Sequence, residues 1–291
     1  MKKHKICKIL LVILAIFLCV AFYELLGICV AYKKQPEVSN TTKKETKNGS
    51  WNECSENTER AVIIEKNPEA LLQRVRLIKN AKKEIILSTF AFQSDESGKL
   101  ILGALHDAAD RGVHIRLLVD GMESWIDMEG NPYFYGLSSH ENVEIKLYNK
   151  ANPLKPWKMM GRMHDKYLIA DGKRYILGGR NTYNYFLGDF PGHKNYDRDV
   201  LVVCDEPEKE NSVNQLLEYF ETIWEQEDSG YFHDNKKLAN RKSVKNAVLE
   251  LQNGYQKYFE ENKERICDTD YTDETFETEK ITLVSNPIHT G

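Results

Sequence analysis

The chain of 291 residues is 41% apolar and 29% charged, enough to bury the core of one large domain or two small ones, and disorder is not the default for such a composition. A formal net charge of −4 and a pI near 6.1 exclude a globally basic surface of the kind that binds nucleic acid, so any anion site has to be local. Of six cysteines, Cys7, Cys19 and Cys29 lie in one apolar segment; Cys54, Cys204 and Cys267 cannot all pair, and no Cys/His cluster has zinc spacing, so neither a disulfide scaffold nor a structural metal is expected.

Lys2, Lys3, Lys5 and Lys8 precede an almost wholly apolar run from Ile9 to Tyr32, in which Glu24 is the one charge. A bilayer core takes about 20 apolar residues, so residues 1–32 read as a membrane anchor; the rival is a cleaved signal peptide, which usually has a shorter apolar region and a small-residue cleavage site. Only Lys33 and Lys34 follow closely, and the positive-inside rule then puts the N-terminus in the cytoplasm and the globular part on the extracytoplasmic side. Residues 33–58, rich in Ser, Thr, Asn and Lys, read as a polar linker.

Residues 59–278 alternate strand and helix patterns. "AVIIE" from Ala61 is a strand; Asn67 and Pro68 read as the cap and first turn of a helix through Ile78. "EIILSTFAF" from Glu84 follows as a strand, "SGKLILGALHDAADR" from Ser97 as an amphipathic helix closed by Gly112, and "VHIRLLVD" from Val113 as a strand. "VEIKLY" from Val143 is another, and "KYLIA" and "RYILG" flank the turn "DGK", a strong hairpin signal. "DVLVVC" from Asp199 and a helix from Asn211 complete an α/β pattern. At residues 279–291, "ITLVSNP" echoes "VIIEKNP" at Val62, which suggests the start of a second repeat cut short.

The chemistry concentrates in "MHDKYLIADGKRYILGGRN", Met163 to Asn181. Metal-free phosphodiester cleavage needs a nucleophile, an acid for the leaving oxygen, and cations or donors for the remaining phosphate oxygens. His164 titrates near neutrality and suits either of the first two roles. Lys166, two residues on, shares its face of an extended strand, so one phosphate can touch both. Asn181 would close the pocket from the next strand's end, with Gly178 and Gly179 permitting close backbone approach. Asp171 sits where a turn favours aspartate anyway.

The pattern His164-x-Lys166, four residues, Asp171, six residues, Gly178-Gly179-x-Asn181 resembles the signature of the phospholipase D superfamily, in the cardiolipin synthase or phospholipase D-like form. The supporting similarity runs from about Ala61 to Trp224. The resemblance implies an α/β fold, a layered sandwich of a mixed β-sheet flanked by helices, here preceded by the N-terminal transmembrane helix. It implies a site made from two copies of the motif, a phosphohistidine intermediate and no metal or other cofactor. Carried over, His164 is nucleophile or acid, Lys166 and Asn181 bind phosphate, Asp171 belongs to the catalytic motif as structural support, and Asp199 orients the histidine, with Asp197 a competing choice on the same strand face.

Only His164, among eight histidines, is followed by lysine at the second position. The second motif is therefore expected from a missing C-terminal half, ahead of a homodimer partner. Three functions follow: a membrane-anchored phosphodiesterase or phosphatidyltransferase acting on phospholipids, a metal-independent endonuclease of the same superfamily, or an incomplete half-site that only binds anions or membranes. Between Lys146 and Lys166 six basic residues face one acid, Asp165, with Trp157, Met159, Met160 and Met163 interleaved, a pattern that suits anionic headgroups and equally nucleic acid.

Overall fold

The computed structural model describes residues 2–33, 59–158, 161–204, 211–233 and 235–285; the expected linker over 34–58 and the echo at Asn286 and Pro287 lie outside the described residues. Helix α1 (Lys2–Lys33) contains a 27-residue stretch, His4–Val30, whose most apolar 18-residue window has mean hydropathy 2.9, long and apolar enough to cross a membrane. A membrane anchor and a signal sequence both meet that description.

Among the described residues nine strands form one mixed sheet: β1 (Arg60–Ile64), β2 (Glu84–Thr89), β3 (His114–Asp120), β4 (Val143–Tyr148), β5 (Lys166–Ala170), β6 (Arg174–Gly178), β7 (Asp199–Val203), β8 (Ser229–Tyr231) and β9 (Phe276–Glu277). Their order is β8-β4-β3-β2-β5-β6-β7-β1-β9. Only β2–β3 and β3–β4 are parallel. Parallel neighbours require crossovers: α3 (Glu96–Asp110) makes the first, and α4 (Gly121–Asp127) with α5 (Pro132–Ser138) makes the second. Every other pairing is antiparallel, including the hairpin β5–β6.

The two faces of the sheet are covered unequally. Alternate strand residues such as Ile85, Leu87, Ile115, Leu117, Leu168 and Ile176 pack under α2 (Asn67–Asn80), α3 and α5, and α7 (Lys242–Glu261) packs in turn on α3 and α5. The intervening residues Ile86, Leu118, Tyr167, Ile169, Tyr175 and Val202 pack under α6 (Ser212–Trp224), through Val213, Leu216 and Phe220. This two-sided burial explains why the strands read as continuous apolar runs. Helix α7 escaped the sequence reading although its core residues, Val244, Ala247, Leu251, Tyr255 and Phe259, recur at helical spacing.

Local expectations hold with small shifts. Helix α3 begins at Glu96, capped by Asp95, whose carboxylate accepts from Gly98 N–H at 3.0 Å, and Gly112 after it has φ +88°. Asn67 is not the cap of α2. Lys66 holds that position, Pro68 still occupies the first turn, and the Asn67 side chain turns away to donate to the carbonyls of Tyr185 and Asn195 at 3.3 and 3.0 Å. In the hairpin turn Asp171 and Gly172 have φ of +55° and +63°, and Lys173 N–H donates to Ala170 O at 3.1 Å. That is the left-handed pair a tight hairpin selects.

Candidate active site

The register of the sheet decides which motif residues meet. Lys166, first in β5, lies opposite Thr89 at the end of β2, and Gly178, last in β6, lies opposite Asp199, first in β7. His164, Lys166, the Gly178–Asn181 segment, Asp197 and Asp199 therefore share one end of the sheet. Asp171 lies at the other end, roughly 16 Å away for five residues at about 3.3 Å each.

His164 is exposed, and its neighbours hold it. Before it, the buried Asp120 carboxylate accepts from Arg162 Nε at 2.9 Å, Arg162 Nη2 at 2.6 Å and Met163 N–H at 3.1 Å. Met163 is buried, and Ser88 Oγ donates to its sulfur at 3.5 Å. After it, Asp165 accepts from Tyr219 Oη at 2.8 Å. The imidazole rests edge-on against Phe90, centroids 4.6 Å apart. Partial burial, reinforced by the Lys166 charge, holds its pKa below the ordinary histidine value, with Asp165 and Asp120 opposing. Neutral imidazole, the nucleophilic form, is favoured.

Lys166 is buried and its Nζ donates to His164 O at 2.6 Å, with the Phe90 ring 5.4 Å away. Burial lowers its pKa while the charges of Asp165 and Asp197 raise it. Asn181 is buried too; its Oδ1 accepts from Ala91 N–H at 3.3 Å. Thr182 fixes the same loop to the end of β2: its N–H donates to Ala91 O at 3.1 Å and its carbonyl accepts from Gln93 N–H at 3.2 Å. Glycine is required on the way. A Cβ on Gly178 would strike Asp199 Oδ1, and one on Gly179 would strike the Asp197 carboxylate.

Asp199 is engaged elsewhere than with His164. Its Oδ2 accepts from Arg74 Nη1 at 2.9 Å and lies 3.3 Å from Arg180 Nη1, all three residues buried. Arg180 also donates to Asn67 Oδ1 and to the carbonyls of Ile64 and Glu65, so this pair bolts the Gly178–Asn181 segment to the β1–α2 junction. Of the two aspartates weighed from sequence, Asp197 is the one whose charge acts on Lys166. Asp171 is a tie. Its carboxylate accepts from the backbone N–H groups of Lys82, Lys83 and Glu84 at 2.8, 2.7 and 3.0 Å, joining the hairpin turn to the start of β2.

Sequence reasoning passed over Asp120 and Phe90, and counted Arg162 only as one charge of the basic stretch. A carboxylate ending the apolar run "VHIRLLVD" was the available signal, because a strand that ends on aspartate offers an acceptor to whatever loop crosses it. The basic stretch is less free than its composition suggests. Lys158 pairs with Asp228 at 2.9 Å, Arg162 with Asp120, and Lys146 and Lys150 donate to the carbonyls of Trp224 and Tyr231. Met163 faces the core, and Met159 and Met160 lie outside the described residues.

Comparison with known proteins agrees with the motif. The family profile described as "Cardiolipin synthase, PLD-like domain" matches residues 74–224. The chain is 30% identical over 212 residues to an uncharacterized protein of Helicobacter pylori strain J99, covering 68% of this chain and 39% of that one. It is 29% identical over 171 residues to cardiolipin synthase C of Escherichia coli K12, covering 54% of this chain and 34% of the other. The chain thus spans little more than a third of the length of these relatives. Among solved structures, NucT from Helicobacter pylori is 17% identical with a TM-score of 0.48, over 60% of this chain and 99% of that one. The α/β fold with its mixed sheet and the matched profile define a phospholipase D superfamily protein. Within that superfamily the chain belongs to the cardiolipin synthase, PLD-like domain family.

Proposed function

We propose that the chain supplies the His164 half of a phosphodiesterase or phosphatidyltransferase that acts on phospholipids. The observation that carries this reading is an exposed imidazole, fixed on both sides by Asp120 and Tyr219, beside a buried lysine at one end of the sheet. In this reading neutral His164 attacks phosphorus and the bond to the leaving alcohol breaks. A second histidine gives that alcohol its proton. The same histidine then takes a proton from water or an acceptor alcohol, whose oxygen displaces His164 from the phosphohistidine. Lys166 and Asn181 stabilise the phosphoryl oxygens, and the lysine does so strongly because it is shielded from water. The second histidine comes from another copy of this chain or from a further segment of a longer protein.

The test is the mass in solution of the full chain in detergent, with activity measured on the same fractions against phospholipid mixed micelles and against plasmid DNA in chelator. Lipid turnover in a dimer, lost in His164→Ala, supports two copies making one site. Degradation of DNA without lipid turnover moves the assignment to an endonuclease. An inactive chain that still binds anionic vesicles leaves a binding module.

A further inference from the structure

Helix α1 does not stand clear of the globular part. Tyr23 Oη donates to Leu154 O at 2.8 Å. Gly27, the buried residue of this helix, faces the short 3₁₀ turn Pro156–Lys158 so closely that a Cβ there would lie 2.7 Å from Pro156 Cβ. At 1.5 Å per residue, Gly27 lies roughly 9 Å along the helix from its last residue, Lys33. If α1 spans a bilayer, the loop carrying Leu154 and Trp157 therefore sits at the level where headgroups meet acyl chains.

The surface beside that contact is apolar and exposed. Leu154 is 77% exposed and Trp157 44%, while Trp125 and Ile126 at the end of α4 are 64% and 65% exposed. Both segments lie at the His164 end of the sheet. Helix α4 follows directly from Asp120, the residue that holds Arg162 and Met163, and Arg162 also reaches Glu123 of α4 at 3.3 Å. The 154–157 loop follows β4, where Asn149 bonds back to the carbonyls of Lys158 and Gly161. Exposed Trp and Leu beside lysine is the composition of an interfacial anchor, and Lys155 is exposed between Leu154 and Trp157.

We propose that Trp125, Ile126, Leu154 and Trp157 insert into the interface of the bilayer that α1 crosses, so that the His164 end of the sheet is held at the membrane surface. The occupant is lipid because the loop that exposes Leu154 and Trp157 is the one packed on α1, and Trp125 and Ile126 are exposed at the same end of the sheet. The inference rests on α1 as an uncleaved span and not on which phosphodiester is cleaved.

The experiment uses the full chain reconstituted in vesicles of neutral and anionic phospholipid, with and without bromine on the upper acyl carbons, and reads tryptophan fluorescence. Trp224 is buried and serves as the internal control, and Trp51 is replaced by Phe throughout. Quenching by brominated lipid that falls by at least half in the Trp125→Phe/Trp157→Phe variant is the expected result. Protein that floats with the vesicles but shows no quenching beyond that variant overturns the proposal, as does fluorescence already shielded in detergent by self-association of the patch. Failure to float overturns it together with the span. A lipid-inactive protein whose tryptophans are quenched would sink the proposed reaction and leave this surface standing.

Discussion

The two ends of the β5–β6 hairpin use the same motif in opposite ways. At the turn, Asp171 is saturated by three backbone donors and touches nothing that could react. At the open end, His164 is exposed while every polar neighbour of the chain around it is bonded. The motif's spacing is therefore the length of a strand out and a strand back, with an exposed imidazole at one end and a clasp at the other. A residue that is part of a catalytic signature can owe its place to the scaffold.

Substitutions can break or sharpen this contrast. His164→Ala should lower turnover by at least about 10³-fold while leaving thermal unfolding unchanged, because the ring is exposed; a measured loss of stability instead would mean the imidazole is a packing residue. Arg74→Met removes one of the two guanidinium partners of a buried carboxylate, and chemical denaturation should show a loss of about 3 kcal/mol, the low end for a broken buried pair, because Arg180 stays 3.3 Å from Asp199. A smaller cost belongs to the clasp. Asp171→Ala hands three backbone donors, those of Lys82 and Lys83 exposed, back to water, and denaturant titration should find it less stable by about 0.5–1.5 kcal/mol, with activity per folded molecule intact. Loss of activity without loss of stability would move Asp171 to the reacting end.

The smallest effect is on pH. Asp165 is one of the charges that raise the His164 pKa, against burial and Lys166, which lower it. Asp165→Asn should therefore lower that pKa further, keep the imidazole neutral in more acid solution, and move the acidic limb of kcat/KM to lower pH by a few tenths of a unit. A limb that moves upward, or not at all, would show that another group sets it.

Much of this contrast was legible in the sequence, and the exceptions have physical reasons. The strands from Glu84, His114, Val143, Lys166, Arg174 and Asp199 announced themselves because both faces of the sheet are buried and each reads as an apolar run. Strand periodicity put His164 and Lys166 on one face, whereas β5 begins only at Lys166 and His164 lies in the segment before it. Asp199 was harder: Asp197 and Asp199 share a face, and which one meets an arginine depends on Arg74 and Arg180, 125 and 19 residues away in the chain. The lysines between Lys146 and Lys158 looked like a free cationic patch because their partners Asp228, Trp224 and Tyr231 come from a distant segment. Helix α7 was legible and overlooked, since it carries no motif and its apolar positions are spread thinly through a charged stretch.

The sheet ends in a three-residue strand, β8, on one side and a two-residue strand, β9, on the other. Strand β9 reaches only Arg60 and Ala61 of β1, and β8 only Lys146 to Tyr148 of β4, so each rim leaves part of the longer strand behind it uncovered. An edge strand left partly unpaired is a template for another strand, so the Val62–Ile64 stretch of β1, with Ile63 54% exposed, is where a further strand would add to this sheet.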